Sequence, residues 1–60
     1  MEKNLPNDPV ILLSIVNTRL RDFYPTLDAF CMAHEVSKEE LLDKLDAIDY
    51  RYDIETNQFI

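Results

Sequence analysis

The chain has 60 residues, 12 acidic against 6 basic, and a formal net charge of −6, which leaves room for a single domain (1–60) and opposes contact with phosphate backbones or anionic membrane faces. A domain this short buries only about 60% of the surface its unfolded chain exposes, so it needs tight packing or association to be stable. Its one cysteine, Cys31, excludes an internal disulfide and a classical zinc cluster, and the absence of both a basic leader and an apolar run longer than Val10 to Leu13 points to a cytoplasmic protein without a membrane span.

Three helix starts are legible. Asp8-Pro9 places a capping side chain ahead of a proline at the first helical position, where the missing N–H costs nothing, and predicts a helix over 9–23. Leu12, Leu13, Val16, Leu20 and Phe23 form its inward stripe, Ile11 and Ile15 widen the stripe on one side, and Ser14, Asn17, Thr18 and Arg21 make the wet face. Tyr24-Pro25 ends it, because a residue before proline avoids the α region. Thr26 caps a short second helix over 27–34 with Leu27, Phe30, Cys31 and His34 inward. Ser37-Lys38-Glu39-Glu40 is a capping box, and the third helix it opens is expected over 38–48 with Leu41, Leu45 and Ile48 as core, Leu42 beside them and Val36 stapled to the first turn.

From Tyr50 the period changes to two, as Tyr50, Tyr52 and Ile54 alternate with Arg51 and Asp53, and Phe59-Ile60 follow a polar gap. A hairpin over 50–60 is expected. With no glycine in the chain, Asp53 must serve its turn as a side-chain acceptor and Asn57 as the left-handed residue. The fold class is thus mostly α, a three-helix, helix-turn-helix-like bundle with a C-terminal β-hairpin, and hence winged-helix-like. The tight turn departs from the motif in one respect: where it usually has glycine stands Glu35, which must either accept a left-handed backbone or widen the turn. Leu13, Val16, Leu20, Phe30, Leu41, Leu45, Ile48 and Tyr52 are the expected core, closed by the Phe59 ring.

Several segments together resemble a family of small stand-alone bacterial proteins, the domain-of-unknown-function family numbered 4250. They are Asn4-Leu-Pro-Asn-Asp-Pro-Val, Leu12-Leu-Ser-Ile-Val-Asn-Thr-Arg-Leu-Arg-Asp-Phe-Tyr-Pro, Leu27-Asp-Ala-Phe-Cys, Glu39-Glu-Leu-Leu-Asp-Lys-Leu, and Tyr50-Arg-Tyr-Asp through Asn57-Gln-Phe. The resemblance implies a bacterial origin and a compact helical domain, and supplies no catalytic residue, cofactor or substrate.

Every chemical feature has a plain structural alternative. Cys31 and His34, three apart on one helical face, could be a thiolate–imidazole pair or half a metal site, or a buried thiol beside a satisfied core histidine; no third ligand is evident, so no structural zinc is expected. Glu39, Glu40, Asp43, Asp46 and Asp49 could gather a cation or simply form a solvated face. Tyr50, Tyr52 and Phe59 could stack on bases, yet only Arg51 is interleaved with them, so they read as core. Ser14, Asn17, Thr18 and Arg21 are the candidate interaction surface, because they offer donors for an acidic peptide or a phosphate within an acidic protein; the plain alternative is a solvated helix face with Arg21 paired to a carboxylate. Ile11 and Ile15 are the candidate dimer ridge, unless Leu5 or the hairpin aromatics fold over them.

The chain lacks phosphate-binding glycine loops, a base-activated nucleophile and the length to enclose a substrate. It is therefore expected not to be an enzyme and to carry no cofactor. A protein-interaction or self-associating module is the leading expectation, with an unidentified protein partner or a second copy of the chain as its ligand. The alternative is a helix-turn-helix nucleic-acid-binding regulator. Against it, the outward residues of the third helix are Glu39, Glu40, Asp43 and Asp46, so duplex DNA is not an expected partner.

Overall fold

The computed structural model describes residues 5–60. The elements, in chain order, are α1 (Pro9–Asp22), α2 (Leu27–His34), α3 (Lys38–Asp46), β1 (Tyr52–Asp53) and β2 (Gln58–Phe59). Each helix begins where its cap is written. The Asp8 carboxylate accepts from the Val10 N–H at 3.0 Å, the Thr26 hydroxyl from Ala29 at 3.1 Å, and the Ser37 hydroxyl from Glu40 at 3.3 Å, so each helix has one of its orphan donors satisfied by a side chain.

Two of the helices end on a left-handed residue that is not glycine. Glu35 closes α2 at φ 56° and ψ 45°, with the Val36 N–H returning to the Cys31 carbonyl at 3.0 Å. This is the wrapped C-terminal turn that glycine normally occupies, and of the two options open to Glu35 the chain takes the left-handed one. Asp49, at φ 66°, does the same after α3, where the Tyr50 N–H reaches the Leu45 carbonyl at 3.0 Å. That turn stops α3 at Asp46, two residues short of the expected end, and leaves Ile48 half-buried on the connection.

Helix α1 packs against α2, α3 and β2. The core comprises Leu12, Val16 and Leu20 from α1, Leu27, Phe30 and Cys31 from α2, Leu41 and Leu45 from α3, and Phe59 from β2. Phe59 is 2% exposed, so a strand of two residues contributes one of the largest buried side chains. Leu13, Ile48 and Tyr52, expected in the core, are half-buried against its surface. Phe23 is a clear correction. Placed on the inward stripe by its spacing, it is 69% exposed, because α1 ends at Asp22 and Phe23 has already left the helical path at φ −127°. Tyr24 turns back in its stead, and its ring meets Phe30 edge-on at 5.6 Å.

The hairpin pairs Tyr52 with Phe59 and Asp53 with Gln58. Arg51 and Ile60 exchange both backbone hydrogen bonds, at 3.0 and 2.9 Å, which carries the ladder one pair further. Asn57 supplies the left-handed turn residue at φ 58°, and the Asp53 carboxylate takes the Glu55 N–H at 3.4 Å and the Thr56 hydroxyl at 2.9 Å. Both turn assignments made from sequence hold.

Candidate functional site

The hairpin is seated on α1 and the start of α2 by four polar side chains, and their arrangement decides which surfaces remain available. The side-chain amide of Asn17 donates to the Phe59 carbonyl at 3.0 Å and accepts from the Phe59 N–H at 2.7 Å. It thereby pairs with the outward edge of β2 as a neighbouring strand would. Gln58 donates back to the Asn17 carbonyl at 2.9 Å. Asn57 donates to the carbonyls of Leu20 and Tyr24 at 3.0 and 2.9 Å, satisfying acceptors at the end of α1, and accepts from the Tyr52 hydroxyl at 2.6 Å. That hydroxyl in turn accepts from the Leu27 N–H at 3.3 Å, an orphan donor of the first turn of α2.

This seating divides the four-residue donor stripe. Ser14 and Thr18 are exposed, Asn17 is half-buried with both ends of its amide committed to Phe59, and Arg21 is bound in two places to Asp22, at 2.9 and 3.0 Å. The Arg21 guanidinium holds the Asp22 carboxyl below its ordinary range by that hydrogen bond. Ser14, Asn17, Thr18 and Arg21 therefore lie along one helix, but two of the four already have partners.

Cys31 and His34 are both buried. The His34 ring lies 4.4 Å from Phe30 and meets Tyr24 edge-on at 5.7 Å, with its Nε2 at 3.5 Å from the Tyr24 hydroxyl. Burial pushes the Cys31 thiol up from its ordinary pKa, so the neutral form is favoured and the nucleophilic thiolate is not. Among the described residues no three His, Cys, Asp or Glu side chains come together as metal ligands. The aromatic trio is split: Phe59 is enclosed, Tyr52 is half-buried at 5.5 Å from it, and Tyr50 lies at the surface.

The ridge on α1 is partly covered. Ile11 is 51% exposed while Ile15 is half-buried, and Leu5 packs by Leu12, Val36 and Leu41, lining a cavity of about 190 Å³.

A larger groove carrying both apolar and charged groups lies elsewhere, between α3 and β1. It encloses about 400 Å³ and is lined by Leu27, Leu42 and Tyr52 with Lys38, Asp43, Asp46 and Arg51. A smaller hollow of about 110 Å³ extends it across Leu27 and Tyr52 to Ile54, which is 79% exposed. Both cations at the rim are already paired, Lys38 with Asp28 at 2.9 Å and Arg51 with Asp46 at 3.3 Å, so among the described residues the unmatched charge there is the carboxylate of Asp43. Sequence reasoning missed this groove, since it weighed Leu42 as core, Tyr52 as core or a stacking ring, and Asp43 as part of an acidic face or cation site, without bringing the three together. The one available signal was the pairing of an acidic outward face on the third helix with the apolar residues at the edge of that face.

No helix among the described residues is long and apolar enough to cross a membrane. Neither the curated proteins nor the solved structures contain a match to the chain. The family model for the domain of unknown function DUF4250 matches residues 6–59, nearly the whole length over which the helices, turns and hairpin were described, and the chain belongs to that family.

Proposed function

We propose that this domain is a non-catalytic protein-binding module whose working face is α3 together with the groove beside it. The observation that supports this most is the charge of α3. The helix follows the tight turn at Glu35, where a helix-turn-helix presents its recognition helix, yet Glu39, Glu40, Asp43 and Asp46 are all exposed on it. Carboxylates in that position meet phosphates with repulsion and lose the electrostatic contribution on which duplex binding depends. The same face suits a cationic protein surface. The packed state of Cys31 and His34 supports the non-catalytic part of the reading, since both are buried and burial disfavours the nucleophilic thiolate of Cys31.

Two measurements test the reading. Anisotropy of a labelled random duplex at about 150 mM salt should not rise with micromolar protein, and saturable binding there would overturn it in favour of a helix-turn-helix regulator. A photo-crosslinking residue at Asp43 should capture a protein in the native cell where the same residue at Ser14 does not. Equal labelling from both positions would remove α3 as the working face. A second reading, self-association through Ile11 and Ile15, is favoured by the exposure of Ile11.

A further inference from the structure

The geometry points to an extended, cationic-and-apolar peptide segment as the ligand of the groove between α3 and β1, bound by adding a strand to the outer edge of β1. This inference rests on the protein-binding reading and gives it a site and a ligand class. Two independent observations carry it.

The first is the state of the sheet edges. In an antiparallel pair the residues alternate between those that exchange hydrogen bonds and those whose N–H and C=O point outward. Arg51 and Ile60 exchange theirs, so the next pair, Tyr52 and Phe59, points outward on both sides. On the β2 side the outward groups of Phe59 are closed by the Asn17 amide. On the β1 side those of Tyr52 form an open edge, and no described side chain closes it as Asn17 closes the other. An open strand edge is a template for an incoming strand, whose main-chain hydrogen bonds supply affinity irrespective of sequence.

The second is the chemistry beside that edge. Leu27, Leu42 and the Tyr52 ring give an apolar floor, and Ile54 prolongs it. Asp43 stands at the rim without an ion-pair partner among the described residues, and Glu39, one turn before it, adds to the negative charge on the same helix, while Glu40 lines the other hollow, by Leu5. A strand presents its side chains alternately to two faces, so a segment that alternates apolar and basic residues sets one series on the floor and the other towards α3. An acidic segment would meet Asp43 and the rest of α3 unfavourably, and a nucleic acid strand would do the same.

A random-peptide library displayed on phage and selected against the purified full chain tests this. Enriched sequences should alternate apolar residues with lysine or arginine. On titrating a selected peptide made synthetically, amide shifts should concentrate at Tyr52, Leu42 and Asp43, and hydrogen exchange at the Tyr52 amide should slow by at least about tenfold. The exposed substitution Asp43→Lys should weaken that peptide at least about tenfold while leaving the spectrum of the free protein otherwise unchanged. Enrichment of acidic peptides, shifts centred on Ile11 and Ile15, or an unprotected Tyr52 amide would each overturn the strand-addition site while leaving the protein-binding reading standing. Failure to enrich any peptide would also overturn it, and the duplex and crosslinking experiments would then decide the broader reading separately.

Discussion

Replacing Asn57 with alanine removes three hydrogen bonds at once and leaves a less tolerant residue at φ 58°. The lost bonds run to the Leu20 and Tyr24 carbonyls, at 3.0 and 2.9 Å, and from the Tyr52 hydroxyl, at 2.6 Å. Each is part-buried and contributes about 1 kcal/mol net, together about 3 kcal/mol. Holding alanine in the left-handed region adds about 1 kcal/mol. The sum, about 4 kcal/mol, is comparable to the whole stability of a domain this small. Asn57→Gly separates the two contributions: it loses the same hydrogen bonds but adopts the backbone freely, so it should be less destabilised by up to about 1 kcal/mol, a gap narrowed by glycine's greater unfolded-state freedom. Urea unfolding followed by far-ultraviolet circular dichroism measures both. With a slope of about 1 kcal/mol per molar for so short a chain, the alanine variant should unfold at a midpoint lower by several molar or fail to fold in water. A change within about 0.5 kcal/mol of the parent would refute the idea that this amide seats the hairpin.

Asn17→Asp keeps the acceptor for the Phe59 N–H but turns a carboxylate oxygen towards the Phe59 carbonyl, so it should cost about 2 kcal/mol at neutral pH and recover part of that as acid protonates the new side chain; a pH-independent loss would contradict the assigned amide orientation. Because burial raises the Cys31 pKa in the folded state, the contribution of that thiol to stability is fully present below the ordinary thiol pKa and is lost as pH rises through the folded value. Alkaline unfolding should therefore begin at higher pH in Cys31→Ala than in the parent, relative to each protein's neutral stability, and thiol-reactive dye should label the native parent far more slowly than the denatured chain. The pair Ile11→Glu and Ile15→Glu should convert a sedimenting dimer to monomer without unfolding, and a parent that sediments as monomer at the highest concentration reached would end the self-association reading.

The helices were legible because their signals are local. Asp8-Pro9, Thr26 and Ser37 act within one turn, and α2 spans the residues expected of it. The ends were less legible where backbone geometry overrode periodicity. Ile48 continues the apolar spacing of α3, but Asp49 takes the left-handed conformation and folds the chain back first. Phe23 fits the stripe of α1, yet the helix stops one residue earlier. The groove and the seating of the hairpin were not legible for a different reason. Asn17 and Phe59 are 42 positions apart, and an asparagine that closes a strand edge is written identically to one that faces water. The engagement of Asn17 within the donor stripe on α1 was hidden for that reason: helical spacing shows which residues share a face, not which of them another element has already engaged.

The Asn17 amide also bears on assembly. A two-stranded ribbon with both edges open can accept a neighbour on either side, and copies joined in that way have no reason to stop. Here one side is closed by a side chain from the protein's own helix, so the ribbon can grow in only one direction. Two copies meeting through their open edges would consume both and leave none for a third, whereas joining an open edge to a closed one is blocked. A single amide thus leaves the sheet one edge, that of β1, to which a strand can be added.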